Sequence, residues 1–357
     1  MKPRLRIELS QLGHNAKALQ EMCGAHGINI AVVTKVFCAD PTMVNTLHAQ
    51  GITQLADSRL ENIARYEGAG KVESILLRAP APDDCDEVAR GCDISLHSEM
   101  ATLAEMNEAA RRNGKKHGIV IMIDMGDLRE GFYHANKDEI LKAADFVASK
   151  EWLRLEGVGV NLTCYGGIIP DADIMGRFAQ IAQGLEASLQ TKFRIISGGN
   201  SSSIDLMAKG AMPGAVNHLR FGDSVARAEE AAYQKPIAGL FRDVITLEAS
   251  LIEVKEKPSY PEGEIGLNAF GEKPFFEDRG RRLRGIVATG RQDTDPAGLV
   301  CLDPGVEIMG ASSDHLIVDL TEAQSAHKVG GHLRFSMSYS AILRAFTSEY
   351  VQRHYVD

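Results

Sequence analysis

The feature that most constrains this chain is a repeated grammar. Eight apolar runs, at 28–37, 54–59, 73–79, 93–98, 118–125, 156–165, 193–198 and 218–222, alternate with stretches whose apolar residues recur at helical spacing. Runs such as "INIAVVTKVF" and "GIVIMIDM" are apolar almost throughout, as strands covered on both faces of a parallel sheet must be. Between them, "SEMATLAEMNEAARRNG" sets Met100, Leu103, Ala104 and Met106 on one face, with Ser98 as the expected cap and Gly114 as the stop. "DADIMGRFAQIAQGLEASLQ" does the same with Ile174, Phe178, Ile181, Leu185 and Leu189. Eight alternations over about two hundred residues predict an α/β fold, a (β/α)8 TIM barrel. A doubly wound open sheet is the alternative, but no GxGxxG follows the first strand.

From about residue 229 the pattern changes. "VITLEASLIEVKEK" alternates over a long span, and "RRLRGIVATG" and "DHLIVDLT" read as strands between Gly and Pro. The chain is too long for most single cores. We therefore expect a barrel at 10–228 and a C-terminal all-β domain at 229–357, with the alternating segment 1–9 pairing with the latter and Ser10 capping the first helix. "SYSAILRAFTSEYVQRHY" is expected to close the domain as a helix.

The net charge is −9 and the Lys and Arg residues are scattered, which argues against a nucleic-acid surface and for a small-molecule partner. No apolar run reaches membrane-spanning length, and "MKPRLRIELS" has no signal-peptide core, so no membrane role and a cytoplasmic location are expected. Six cysteines without a CxxC pair read as reduced thiols. Eleven histidines without HxH or HExxH spacing give no reason to expect a metal.

A barrel of this kind carries its chemistry at the carboxyl ends of its strands. Polar groups gather there: Lys35, then Asp57, Ser58 and Arg59, then Arg78, then His97 and Ser98, followed by "MGDLREG", "NLTCYGG", "SGGNSSS" and "RFGDS". Backbone amides and hydroxyls of "SGGNSSS" suit a phosphate, and the glycine of "RFGDS" lets backbone approach an anion. Two neighbouring anion cradles with a lysine across the barrel point to a phosphorylated cofactor opposite a Schiff-base lysine.

With these motifs the sequence resembles the pyridoxal-phosphate amino-acid racemases of the alanine-racemase-like fold. The resemblance runs through nearly the whole chain. It implies pyridoxal 5'-phosphate as cofactor, with Lys35 of "VTKVFCADP" carrying it covalently. Arg129 of "MGDLREGF" would face the cofactor phenolate and the substrate carboxylate, and Asn161 of "EGVGVNLTCYGG" would lie under the ring. Asn200, Ser201 and Gly222 match the phosphate turns, Arg220 the arginine at the pyridine nitrogen, and Tyr355 a terminal tyrosine of the cofactor site. Arginine holds its proton tightly, so Arg220 would leave that nitrogen unprotonated and favour proton return at Cα.

The departures are informative. Ala39 stands where alanine racemases have a tyrosine after the lysine, and "GEIGLNAFG", "TGRQD" and "GASSDH" replace β-domain segments that carry tyrosine or methionine. The wording resembles the ornithine-racemase-like branch, which implies an isomerase acting on ornithine, lysine or similar basic amino acids. Cys164, Tyr165 and His315 are the candidates for a second acid/base beside Lys35. Arg291 is a candidate for the substrate carboxylate. Asp127, Asp293 and Asp314 are candidates for a cationic side chain. The alternatives are an alanine or broad-specificity racemase, a decarboxylase on a similar barrel, and a cofactor carrier without catalysis. The β domain argues against the carrier and for a homodimer with shared active sites.

Overall fold

The computed structural model describes residues 2–357. It divides into two units, Ser10–Arg242, and Asp243–Asp357 together with the amino-terminal residues through Leu9. The division falls after Arg242, not after residue 228, because the intervening residues fold onto the first unit. Glu229–Glu230 and Lys235–Pro236 form a hairpin, and Glu229 takes ion pairs from Arg227 and Arg242. Asn15 of the first helix bonds both the carbonyl and the amide of Phe241, each at 2.8 Å.

In the first unit, eight parallel strands close into a barrel: Asn29–Val33, Gln54–Asp57, Glu73–Leu76, Ile94–His97, His117–Asp124, Leu153–Val160, Ile195–Ser197 and His218–Phe221. All eight fall within or overlap the apolar runs read from sequence. The last strand pairs with the first, Ala31 opposite Arg220 and Val32 opposite Phe221, and this seam shuts the barrel. Ala31, Val33, Ala56, Ile75, Ile94, Leu96, Val120, Met122 and Ile195 form one buried cluster that fills the interior.

The helices differ from expectation in detail. The first, Leu9–Gly24, starts ahead of Ser10. Met100–Asn113 is preceded by Glu99 rather than capped by Ser98, while Gly114 does close it in the left-handed conformation. Ala172–Ser188 is capped by Asp171, whose carboxylate accepts from the Ile174 amide at 2.7 Å. It buries Met175, Phe178, Ala179, Ala182 and Leu185, so its inward face is rotated and leaves Ile174 and Ile181 at the margin. Small alanines, which carry little weight in an apolar pattern, let the helix sit close to the barrel here.

In the second unit, Ile245–Pro258 is the central strand. Its first half pairs with Arg4–Glu8 and His332–Met337, its second half with Arg281–Val287, and a bulge between Leu251 and Glu253 separates the two. Leu316–Asp319 and Glu307–Ala311 extend the sheet. The expected closing helix is split: Tyr339–Thr347 is helical, capped by Ser338, and Gln352–Val356 is a strand beside Arg4–Glu8. Among the described residues no helix is long and apolar enough to cross a membrane.

Candidate active site

The closing seam sets the site. Asn29–Val33 lies against His218–Phe221, which lies against Ile195–Ser197. Lys35 therefore adjoins the "RFGDS" strand and is not across the barrel from it. Leu153–Val160 and His117–Asp124 continue the same side. Five adjacent strand ends thus bring Lys35, Gly222, Arg220, Asn200, Ser201, Asn161 and Arg129 to one arc of the mouth.

Lys35 opens a single 3-10 turn, Lys35–Phe37, followed by Cys38 and Ala39 in the left-handed region at φ 50° and 48°. Two consecutive non-glycine residues there cost energy that the surroundings must repay. They do so from behind: the Thr34 hydroxyl donates to Asp57 at 2.7 Å and meets Tyr66 Oη at 2.8 Å, and Asn62 and the Arg59 amide donate to the other Asp57 oxygen, each at 3.0 Å. Burial raises the Asp57 carboxyl, with the hydrogen bonds from Thr34 and Asn62 working against that rise. The Lys35 ammonium itself, half-buried, has no hydrogen-bond or ion-pair partner among the described residues.

The opposite character holds on the other four strand ends. Arg129 is held by both oxygens of Glu130; Asn161 Nδ2 donates to Glu130. Asn161 Oδ1 accepts from Arg220 Nη2 at 2.5 Å, which also donates to the Val160 carbonyl at 2.9 Å, and Arg220 Nη1 donates to Ser197 Oγ. Arg220 is 3% exposed, and burial lowers its guanidinium to about 10 against the pull of Cys164 and Glu130. It stays charged at neutral pH. Burial acts to lower Arg129 too, but its hydrogen bond with Glu130 and the charges of Cys164, Glu130 and Asp127 outweigh this and raise it.

The serine turn is a short 3-10 segment, Ser201–Ser203, with Asn200 accepting from the Ser202 amide at 2.9 Å and donating to the Leu162 carbonyl at 3.0 Å. Ser201 and Ser224 hydroxyls meet at 3.0 Å. Gly199 adopts φ 109°, and a Cβ on Gly222 would sit 3.2 Å from that of Val33, so both turns depend on bare backbone. The Ser202 hydroxyl is buried without any hydrogen-bond partner. An orphaned buried hydroxyl in a serine-glycine cradle fits a phosphate oxygen.

The remaining residues read from sequence sort clearly. Cys164 is exposed, accepts from Asn200 Nδ2 at 3.3 Å, and lies close enough to Arg129 and Arg220 for its charge to act on both. Tyr165 is 75% exposed. Asp127 is not available to a substrate cation, because the amides of Thr163, Ile168 and Tyr165 occupy its two oxygens at 3.0, 3.2 and 2.9 Å. His97 is fully buried, bonded to Ser95 and Thr102, and Arg78 is exposed.

In the β domain, backbone bonds from Arg291 and Gln292 to Ser312 and Ser313, both 3.0 Å, join the "TGRQD" and "GASSDH" turns, so Arg291, Asp314 and His315 share one end of that domain. Arg291 pairs with Glu272 at 3.1 Å and stacks over Phe270 at 4.1 Å. Asp293 is buried and bonded to Thr289, Gly290 and Ser348, a structural role. Asp314 is exposed and accepts from Ser313 at 2.9 Å, and Tyr355 lies in the Gln352–Val356 strand opposite Ile7.

Residues 7–227 match the family described as alanine racemase, N-terminal domain. The chain belongs to that alanine racemase family. An ornithine racemase of Acetoanaerobium sticklandii is 41% identical over 99% of both chains. A lysine racemase of Thermotoga maritima is 38% identical over 99% of this chain and 98% of its own. Among solved structures, the alanine racemase of Bartonella henselae with covalently bound pyridoxal phosphate superposes with a TM-score of 0.75 at 15% identity over the whole of both chains, a likeness of fold. Within this alanine racemase family member, Glu130, Ser197 and His218 are the polar groups of the arc that sequence reading missed. Glu130 is one more charged letter in "MGDLREG" with no pattern to single it out, whereas His218 and Arg220 two apart in "HLRF" are a signal that one polar face points inward.

Proposed function

We propose that this chain is a pyridoxal-phosphate-dependent racemase that interconverts the L and D forms of ornithine, lysine or a closely related basic amino acid. The observation that carries the reading is Lys35: a half-buried ammonium without a partner, at a braced strand end beside a serine-glycine cradle whose Ser202 hydroxyl is also unpartnered. The near full-length ornithine and lysine racemase relatives support the substrate class.

In this reading Lys35 holds the cofactor covalently, and Ser201, Ser202 and the backbone at Gly222 hold its phosphate, with Asn200 shaping the turn. Arg220 and Asn161 would hold the ring, Arg129 would take the substrate carboxylate, and Tyr355 would complete the cofactor site. When bound, the cofactor supplies the electron sink that weakens the Cα–H bond. Lys35 would move a proton at Cα on one face. Cys164 is the second acid/base we favour, because Asn200 orients it and two guanidiniums stand near. Tyr165 and His315, both exposed, are the alternatives. Asp314 would take the substrate's side-chain cation and Arg291 would assist with its carboxylate.

We further propose a cytoplasmic homodimer with shared sites. Leu128, 65% exposed, and Tyr165 on adjoining loops are apolar surface that a partner subunit would cover. The deciding experiment is absorbance of the purified protein and chiral chromatography after incubation with single L-amino acids, beside Lys35→Ala. A lysine-dependent band with D-ornithine or D-lysine formed is expected. A band without any stereochemical change would replace the racemase with a carrier. No band would remove the cofactor.

A further inference from the structure

Behind Arg220 the hydrogen bonds run on into the barrel, and their directions can be worked out. His218 precedes Arg220 by two residues on one strand, so both side chains point to the same side. Its imidazole is buried, with Nδ1 2.9 Å from Ser197 Oγ and Nε2 2.7 Å from Gln54 Oε1. Gln54 Nε2 donates to Glu73 at 2.6 Å, so Gln54 turns its carbonyl oxygen to the ring. Nε2 must then carry the hydrogen, which leaves Nδ1 as an acceptor. The single Ser197 proton goes to that nitrogen. Ser197 thus has only lone pairs to offer Arg220 Nη1, with which it is bonded. A ring with hydrogen on Nδ1 would take one Ser197 lone pair and leave the Ser197 proton without this acceptor, so the remaining lone pair would no longer be held on the guanidinium.

We propose that His218 is a positioning residue: by accepting the Ser197 proton it fixes the rotation of that hydroxyl, and hence the lone pair that orients the Arg220 guanidinium. This rests on the reading that Arg220 holds the cofactor's ring. The groups around the ring agree with a neutral imidazole. Burial, then the charges of Arg220 and Arg194, lower His218 to about 3. Glu73, the carboxylate that Gln54 bonds on its far side from the ring, is engaged by Arg194 at 2.9 Å.

The test has two arms on the cofactor-loaded enzyme. In the first, nitrogen-15 histidine labelling reads the tautomer of His218 between pH 5 and 9. A single Nε2–H form that does not titrate is expected, and an Nδ1–H or doubly protonated ring overturns the proposal. In the second, His218→Asn keeps an acceptor where Nδ1 sits, whereas His218→Leu removes it. His218→Leu should lower kcat by about 10- to 100-fold with KM within about twofold, and His218→Asn should stay within about threefold of wild type. His218→Leu should also move the pH at which the cofactor's absorbance titrates. Equal behaviour of the two variants, or a wild-type profile in His218→Leu, overturns the proposal. Should His218→Leu fail to fold, Gln54→Met frees the ring instead. A mixture of tautomers with reduced kcat is expected there, and one unchanged tautomer at full activity overturns the proposal. Absence of a cofactor band in the wild type would sink the cofactor reading instead, while the tautomer measurement still decides the direction of the hydrogen bonds.

Discussion

Two parts of one barrel mouth are built in opposite ways. From Arg129 through Glu130 and Asn161 to Arg220 and Ser197, each polar side chain is bonded to the next. Lys35, on the adjoining strand, is unpartnered on a rigid base of Thr34, Asp57 and Tyr66. Fixed dipoles and charges stabilise developing charge without reorganising, whereas a group that must make and release a bond needs its rotamers. The contrast teaches where order helps and where it would obstruct.

The largest effect is expected at the unpartnered side. Lys35→Ala should lower racemisation by at least about 10⁴-fold and remove the lysine-dependent absorbance band, with circular dichroism unchanged. Residual activity near wild type would mean that the lone ammonium is incidental. Next comes the centre of the tied side. Arg220→Met removes a buried cation and deprives Asn161, Val160 and Ser197 of a donor, so we expect about 3–5 kcal/mol lost in denaturant unfolding and kcat down by roughly 10²- to 10³-fold.

Acid should act on the barrel interior and on the Lys35 brace with opposite signs. Burial is the main cause that lowers His97, His117 and His218, to about 3, 4 and 3. Their folded values lie below the unfolded one near 6.5, so the stability they contribute is complete above that pH and is lost as pH falls toward the folded values, each by up to about 1.4 kcal/mol per pH unit. Asp57 is raised, so its contribution is greatest in acid and is lost as pH rises through its folded value. Urea midpoints from pH 7 to 4 should therefore fall in wild type and fall less in His97→Asn. A flat profile would contradict the neutral buried rings.

Glu130→Gln sharpens the comparison further. It loosens Arg129 while leaving the fold intact, and should cost about 10- to 100-fold in kcat/KM with little change in thermal midpoint. The smallest effect is expected at Ser202. Ser202→Ala deletes a hydroxyl that has no partner, so stability should hold or rise slightly, while cofactor binding should weaken by only about 1 kcal/mol. Equilibrium dialysis against the cofactor measures it.

The barrel was legible because both faces of its strands are apolar, a pattern that few folds share, and because polar residues mark each strand's carboxyl end. The tied arc was legible only in part. Arg129, Asn161 and Arg220 stand in recognisable motifs, but the bonds among them join residues as far apart as 60 positions, which no local pattern encodes. Asp127 illustrates the same limit: as a letter it could serve a substrate or a loop, and only the three amides around it decide. The rotated face of Ala172–Ser188 and the split carboxyl-terminal segment were misread because alanine packing and a late strand leave weak periodic signals.

The seam between Asn29–Val33 and His218–Phe221 also governs when the chain becomes an enzyme. The lysine leaves the ribosome early, but its neighbouring arginine and glycine follow only some 185 residues later, about nine to forty seconds at ordinary translation speeds. Until that final seam closes, a nascent chain carries the proposed cofactor lysine without the proposed cradle beside it. On that proposal a product truncated before His218 lacks the cradle, and the join that completes the barrel also completes the site.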